Sequence, residues 1–167
     1  MSDTQPIVIR IKKGADGRTA LSCTRADGTT TWQRQEGKQA AFFPTHDLTH
    51  YAVETTLEQR DGFYGLIAQG WNFSDFGSPW PRGRLPAEAT ISEQIVGVFD
   101  LERRIGEKAT AEALNAKLSE YCAENGFPPH RSFSEEDLDR VRQKRAELFA
   151  KWDAVPPGGA LEIPFEP

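Results

Sequence analysis

The feature that most constrains this chain is a change of hydrophobic period that occurs twice. Ile7, Ile9 and Ile11 alternate with Val8, Arg10 and Lys12, the period of two expected of a strand with one buried face. From residue 44 onward the spacing becomes helical. Phe63, Leu66, Ile67, Gly70 and Trp71 follow i, i+3, i+4, i+7, i+8, and similar stripes run through Ile91, Ile95, Val98 and Phe99 and through Leu138, Val141, Leu148 and Trp152. At the end Leu161, Ile163 and Phe165 alternate again. Strands followed by a run of helices predict an α+β fold. The expected architecture is an N-terminal antiparallel β-meander packed against four to five helices, with the C-terminal strand a candidate to rejoin the sheet.

Local signals place the boundaries. Gly14-Ala15-Asp16-Gly17 and Asp27-Gly28 mark turns between strands at 7–12, 19–25 and 29–35. Strand three has a weaker apolar face than strand one, which predicts a sheet covered on one side. Thr45 is read as the cap of a helix over 46–60, broken by Asp61-Gly62. Gly62, Gly65 and Gly70 remove side chains from the next helix and invite close approach of another backbone. Residues 76–86 hold three prolines and two glycines, so they form a loop. A helix beginning near Thr110, which carries Leu114, Leu118, Tyr121 and Cys122, ends at Gly126 before Pro128-Pro129. Ser134 through Asp137 resembles a capping box opening the last helix. The 167 residues are read as one domain, 1–167, with the meander over 1–36, the helical part over 44–153 and a final strand over 160–166.

Charge and cysteine content narrow the function classes. A net charge of -5 argues against general nucleic-acid binding, which needs a basic face. No apolar run approaches the ~18 residues of a membrane span. Cys23 and Cys122 have no CxxC neighbour, so neither a disulfide framework nor a nucleophilic cysteine is expected. Met1 to Pro6 lacks the basic start and apolar core of a secretory signal, and the expected location is the cytoplasm.

The chemistry-bearing segment is 44–54. The chain has three histidines, and His46 and His50 lie four apart, which places both imidazoles on one helical face with Val53 and Leu57. Asp47, Tyr51, Glu54 and Glu58 form a polar stripe beside them. Two helical imidazoles at this spacing can hold one Zn²⁺ at about 2.0–2.1 Å. Asp75, Glu93, Glu102 and His130 are the candidates for a distal third ligand. The alternatives are a hydrogen-bonded polar patch in the core and metal-free acid–base chemistry by a histidine.

His46-Asp47-Leu48-Thr49-His50 resembles the zincin metalloprotease helix, H-E-x-x-H, with Asp47 at the glutamate position. That resemblance implies His46 and His50 as metal ligands and Asp47 as general base, one methylene shorter than the family's residue. The run from His46 to Phe76, which opens on the HDLTHxxVE segment, together with Pro-Pro-Gly-Gly-Ala-Leu-Glu near the end, is also similar to a small, uncharacterised bacterial protein family over most of the chain. It implies a bacterial protein and carries no activity with it.

Nine of the seventeen aromatics fall between residues 42 and 80. Next to the histidines they could line a ligand pocket or simply form core. Tyr51, Trp71, Trp80, Arg82 and Arg84 are the candidate ligand-binding residues, the arginines being suited to carboxylate or phosphate and Trp80 to stacking. Two functions are therefore weighed. The first is a small-ligand- or partner-binding domain without catalysis. The second is a metal-dependent hydrolase with a metal, zinc for choice, on His46 and His50 and with Asp47 or Glu54 as base. A homo-oligomer formed through the glycine-bearing helix is a third expectation.

Overall fold

A computed structural model describes residues 4–167. Residues 1–3 of the span expected for the meander lie outside the described residues. Strands β1 (Ile7–Lys13), β2 (Thr19–Arg25), β3 (Thr30–Gln35) and β4 (Ala160–Phe165) form one antiparallel sheet in the order β3-β2-β1-β4. Helices α1 (Lys38–Thr56), α2 (Phe63–Ala68), α3 (Ala87–Ile105), α4 (Ala111–Asn125) and α5 (Glu135–Asp153) lie between β3 and β4. This is the expected α+β arrangement, with the C-terminal strand paired to β1.

The alternation in β1 decides which face is covered. Ile7, Ile9 and Ile11 are buried, together with Leu21 and Cys23 of β2 and Ile163 and Phe165 of β4. On the other face Val8 and Trp32 are 45% and 59% exposed, so the sheet is covered on one side. The buried face meets α1, which also packs against α3 and α5. Leu48, Ala52, Val53 and Leu57 of the α1 segment join Ile91, Ile95 and Phe99 of α3 and Leu138, Val141 and Leu148 of α5 in one hydrophobic cluster.

Side chains tie the layers together where helix ends would leave carbonyls unpaired. Lys13 Nζ donates to the carbonyls of Trp152 and Val155 at 2.8 Å, closing the C-terminus of α5 over β1. Arg25 donates to the carbonyls of Ile67 and Trp71 at the end of α2. Glu102 of α3 accepts from Arg142 and Arg145 of α5 at 2.9 and 3.0 Å. The capping box at Ser134 forms as its sequence indicates, and Thr110 also caps α4, each hydroxyl accepting a backbone N–H at 3.1 Å.

Three boundaries differ from expectation, one being the end of the first helix, which stops at Thr56 rather than at residue 60, before Glu58 takes a φ of 53°. Thr45 is not a cap: α1 starts at Lys38 and runs through Pro44, while the Thr45 hydroxyl donates to the carbonyl of Phe42. Proline removes only the single N–H that would return to Ala40, and the helix-forming Lys38-Gln39-Ala40-Ala41 run carries the turn before it. The second helix ends at Ala68 rather than Trp71, because Gly70 takes a φ of 105°. Within that helix the glycines do meet close neighbours, but inside the same chain. A Cβ at Gly65 would lie 1.8 Å from the carbonyl oxygen of Arg60, and one at Gly62 would lie 2.5 Å from Glu54 Oε1. Both of these close approaches are made by the chain's own groups, while a Cβ at Gly70 would meet nothing within 4 Å. Among the described residues no helix is long and apolar enough to cross a membrane.

Candidate functional site

Because His46 and His50 lie one turn apart on α1, their rings meet edge to face with centroids 4.8 Å apart. Phe42 stacks on His46 at 5.0 Å and Phe63 leans on His50 at 5.4 Å, so rotation of either ring is restricted. The other half of the site comes from α3. There Ala89, Glu93, Val96 and Asp100 follow i, i+4, i+7, i+11, a second stripe beside the apolar one. The packing of α3 on α1 brings Glu93 and Asp100 to the two imidazoles.

The hydrogen bonding has a regular form. His46 Nδ1 lies 2.6 Å from Asp100 Oδ2, and His50 Nδ1 lies 3.2 Å from Glu54 Oε2. The opposite ring nitrogens converge on one carboxylate: His50 Nε2 is 2.8 Å from Glu93 Oε2 and His46 Nε2 is 3.6 Å from Glu93 Oε1. His46, His50 and Glu93 can each offer a ligand atom, and these atoms lie within 4.8 Å of one another. Of the four distal ligands considered from sequence, the fold therefore delivers Glu93. Asp75 instead accepts from the Asn72 amide and from Arg82, Glu102 is held by Arg142 and Arg145, and His130 Nδ1 pairs with the Arg131 carbonyl.

Glu54 is buried behind His50. Its second oxygen accepts the Tyr64 N–H at 2.8 Å at the start of α2, and burial pushes its carboxyl pKa up. Burial opposes charge on His50, but the hydrogen bonds to Glu54 and Glu93 outweigh it and raise its pKa to about 10. Asp47 is also buried. It accepts from Gln35 Nε2 at 3.3 Å, and Gln35 Oε1 in turn accepts from Thr19. Burial raises the Asp47 pKa to about 6, against the opposing effect of His46 and the Gln35 hydrogen bond.

The cluster opens into a cavity of about 340 Å³. Its walls are Phe43, Phe63, Phe76, Leu85 and Ala89, with Gln33, Thr90, Gln94 and Tyr121 as neutral polar groups and Asp47, His46, His50 and Glu93 as the ionisable ones. His50 is nearly inaccessible, whereas the Glu93 side chain is 55% exposed, so Glu93 lies nearer the mouth.

The residues expected to bind a ligand lie elsewhere. Tyr51 donates its hydroxyl to the Pro164 carbonyl, fastening α1 to β4. Trp71 lies under the Arg82 guanidinium, which donates to Asp75 and to the Gly70 carbonyl. Arg84 stacks on Phe127, and Trp80 stands 47% exposed at a φ of 57°. None of these five lines the cavity. Local composition points to them, but the loop arginines and Trp71 are occupied in holding the loop to the body. Asp100 escapes the sequence reading; its signal is the seven-residue spacing from Glu93 on one helix. Gln33 and Gln94 carry none beyond polarity. No protein-family model matches the chain, and neither a curated protein nor a solved structure shows significant similarity to it.

Proposed function

We propose that His46, His50 and Glu93 form a divalent-metal centre, zinc being the ion that suits the donors, and that the centre activates water for hydrolysis of a small molecule held in the adjoining cavity. One observation carries this reading. Both imidazoles give Nδ1 to a buried or half-buried carboxylate while both Nε2 atoms face a third. Carboxylates behind histidine ligands fix tautomer and ring orientation at metal sites. Tetrahedral zinc with ligands at about 2.0–2.1 Å sets its donors roughly 3.3 Å apart. The His50 Nε2–Glu93 Oε2 and His46 Nε2–Glu93 Oε1 separations of 2.8 and 3.6 Å lie near that value, and the three ligand atoms fall within 4.8 Å of one another.

Three protein ligands leave a position for water on the cavity side, and a bound divalent ion lowers the pKa of that water towards ~7. Glu54 acts by holding His50 rather than as a base. Asp47, on the cavity wall, is the base that the H-E-x-x-H likeness indicates. A second reading, ligand binding without metal, is favoured by one observation: His50 already has partners for both ring nitrogens.

Elemental analysis of tag-free protein, before and after zinc incubation, separates the two. The metal reading expects about one equivalent in wild type, its loss in His50→Ala and Glu93→Ala, and its retention in Asp47→Asn with hydrolysis abolished. Absence of metal from zinc-treated wild type would overturn it and leave the binding reading.

A further inference from the structure

The cavity beside the histidines contains no lysine or arginine among its described lining: its ionisable groups are Asp47, His46, His50 and Glu93. Glu54 and Asp100 lie directly behind the two imidazoles. Three carboxylates thus contact the two imidazoles, and a fourth, Asp47, stands on the cavity wall, with no guanidinium or ammonium among them. The cations of the adjoining loop are committed elsewhere, Arg82 to Asp75 and the Gly70 carbonyl, and Arg84 to the Phe127 ring. An anionic ligand would enter this space against like charge and without a guanidinium or ammonium to receive it. The walls offer aromatic surface from Phe43, Phe63 and Phe76, and such rings attract a cation held over their faces.

We infer that the cavity takes a small organic cation with an aromatic or apolar body, and excludes phosphate esters and carboxylates. The inference concerns the same cavity as the proposed function and rests on that placement of the site, but not on the presence of a metal. Volume and lining agree with it. About 340 Å³ accommodates a single ring with a short arm, and the carboxamides of Gln33 and Gln94 can orient a neutral polar group without demanding charge. For the proposed hydrolytic centre it follows that the scissile bond belongs to an amide or ester of an amine-bearing compound, not to a phosphoester.

The test uses four probes of similar ring size on the full chain: benzyltrimethylammonium, benzyl alcohol, benzoate and phenyl phosphate. The quaternary cation cannot ligate a metal, so its binding reports charge and shape alone. Titrations are followed by calorimetry and by amide shifts of Gln33 and Gln94, on metal-depleted and zinc-treated samples whose metal content is measured in parallel. The expected order is cation over alcohol over both anions, with the cation favoured over benzoate by at least about tenfold. Gln94→Lys, which adds an ammonium at a half-buried wall position, is expected to weaken the cation and strengthen benzoate. Benzoate or phenyl phosphate binding wild type as tightly as the cation, or no saturable shift with any probe, would overturn the inference. Cation binding to protein that takes up no zinc supports it while removing the metal centre. Zinc uptake with a preference for the anions leaves the metal centre standing and removes the inference.

Discussion

Replacing Gly62 by alanine probes the link between packing and the candidate site through one methyl group. Gly62 has a φ of -74°, so alanine meets no backbone strain. Its Cβ, however, would lie 2.5, 2.6 and 2.7 Å from Oε1, Cδ and Cγ of Glu54. Glu54 cannot swing aside freely, because it is buried and held by the Tyr64 N–H at 2.8 Å and by His50 Nδ1 at 3.2 Å. Displacing it disrupts two hydrogen bonds to a charged group, worth roughly 1.5–3 kcal/mol each. Against this stands a gain of about 0.4–1 kcal/mol from the less flexible unfolded chain. The net expectation is a loss of about 3 kcal/mol, or roughly 6–12 °C in Tm for a chain of this size. Gly97→Ala is the matched control, since a methyl group there would meet nothing within 4 Å in the exposed middle of α3; it is expected to stabilise by roughly 0.5–1 kcal/mol. Urea unfolding measures both, and zinc titration of Gly62→Ala is expected to show affinity reduced about 10–100-fold as His50 loses its orienting carboxylate. A Gly62→Ala protein as stable as wild type, with unchanged zinc binding, would refute the claim that Glu54 is locked in place.

Two further expectations concern the ties between layers. Burial raises the Glu102 carboxyl pKa, but the hydrogen bonds and charges of Arg142 and Arg145 and the Ala109 amide outweigh it and hold it below its ordinary value of 4.5. A depressed carboxylate contributes stability that is complete above 4.5 and fades as pH falls through the native value. Glu102→Gln should therefore cost roughly 3 kcal/mol at neutral pH, and the gap in thermal midpoint between it and wild type should narrow on acidification; a gap independent of pH would refute the assignment. Lys13→Met keeps an unbranched side chain but removes both the donor to two carbonyls at the end of α5 and the ammonium over the Trp152 ring. A loss of about 1–2 kcal/mol is expected in chemical denaturation, and no change would mean that water satisfies those carbonyls equally well.

Some of this molecule is written locally and some is not. The alternation of Ile7, Ile9 and Ile11, the caps at Thr110 and Ser134 and the left-handed Gly126 depend on neighbours within a few residues, and the sequence alone determined them. So did the shared face of His46 and His50, because four residues nearly complete a helical turn wherever the helix lies. Only the tertiary structure decided what those imidazoles meet. Glu93 and Asp100 are 43 and 50 residues beyond His50 along the chain, and they reach the two rings because α1 and α3 bury apolar flanks against each other. The same packing turned Tyr51 to the sheet, sealed Glu54 beneath Gly62 and spent Arg82 on Asp75. Composition ranks residues by what they could do, whereas burial and long-range pairing decide which remain free to do it. Local spacing is fixed by covalent geometry, and the convergence of three carboxylates on two imidazoles is fixed by how hydrophobic surfaces meet.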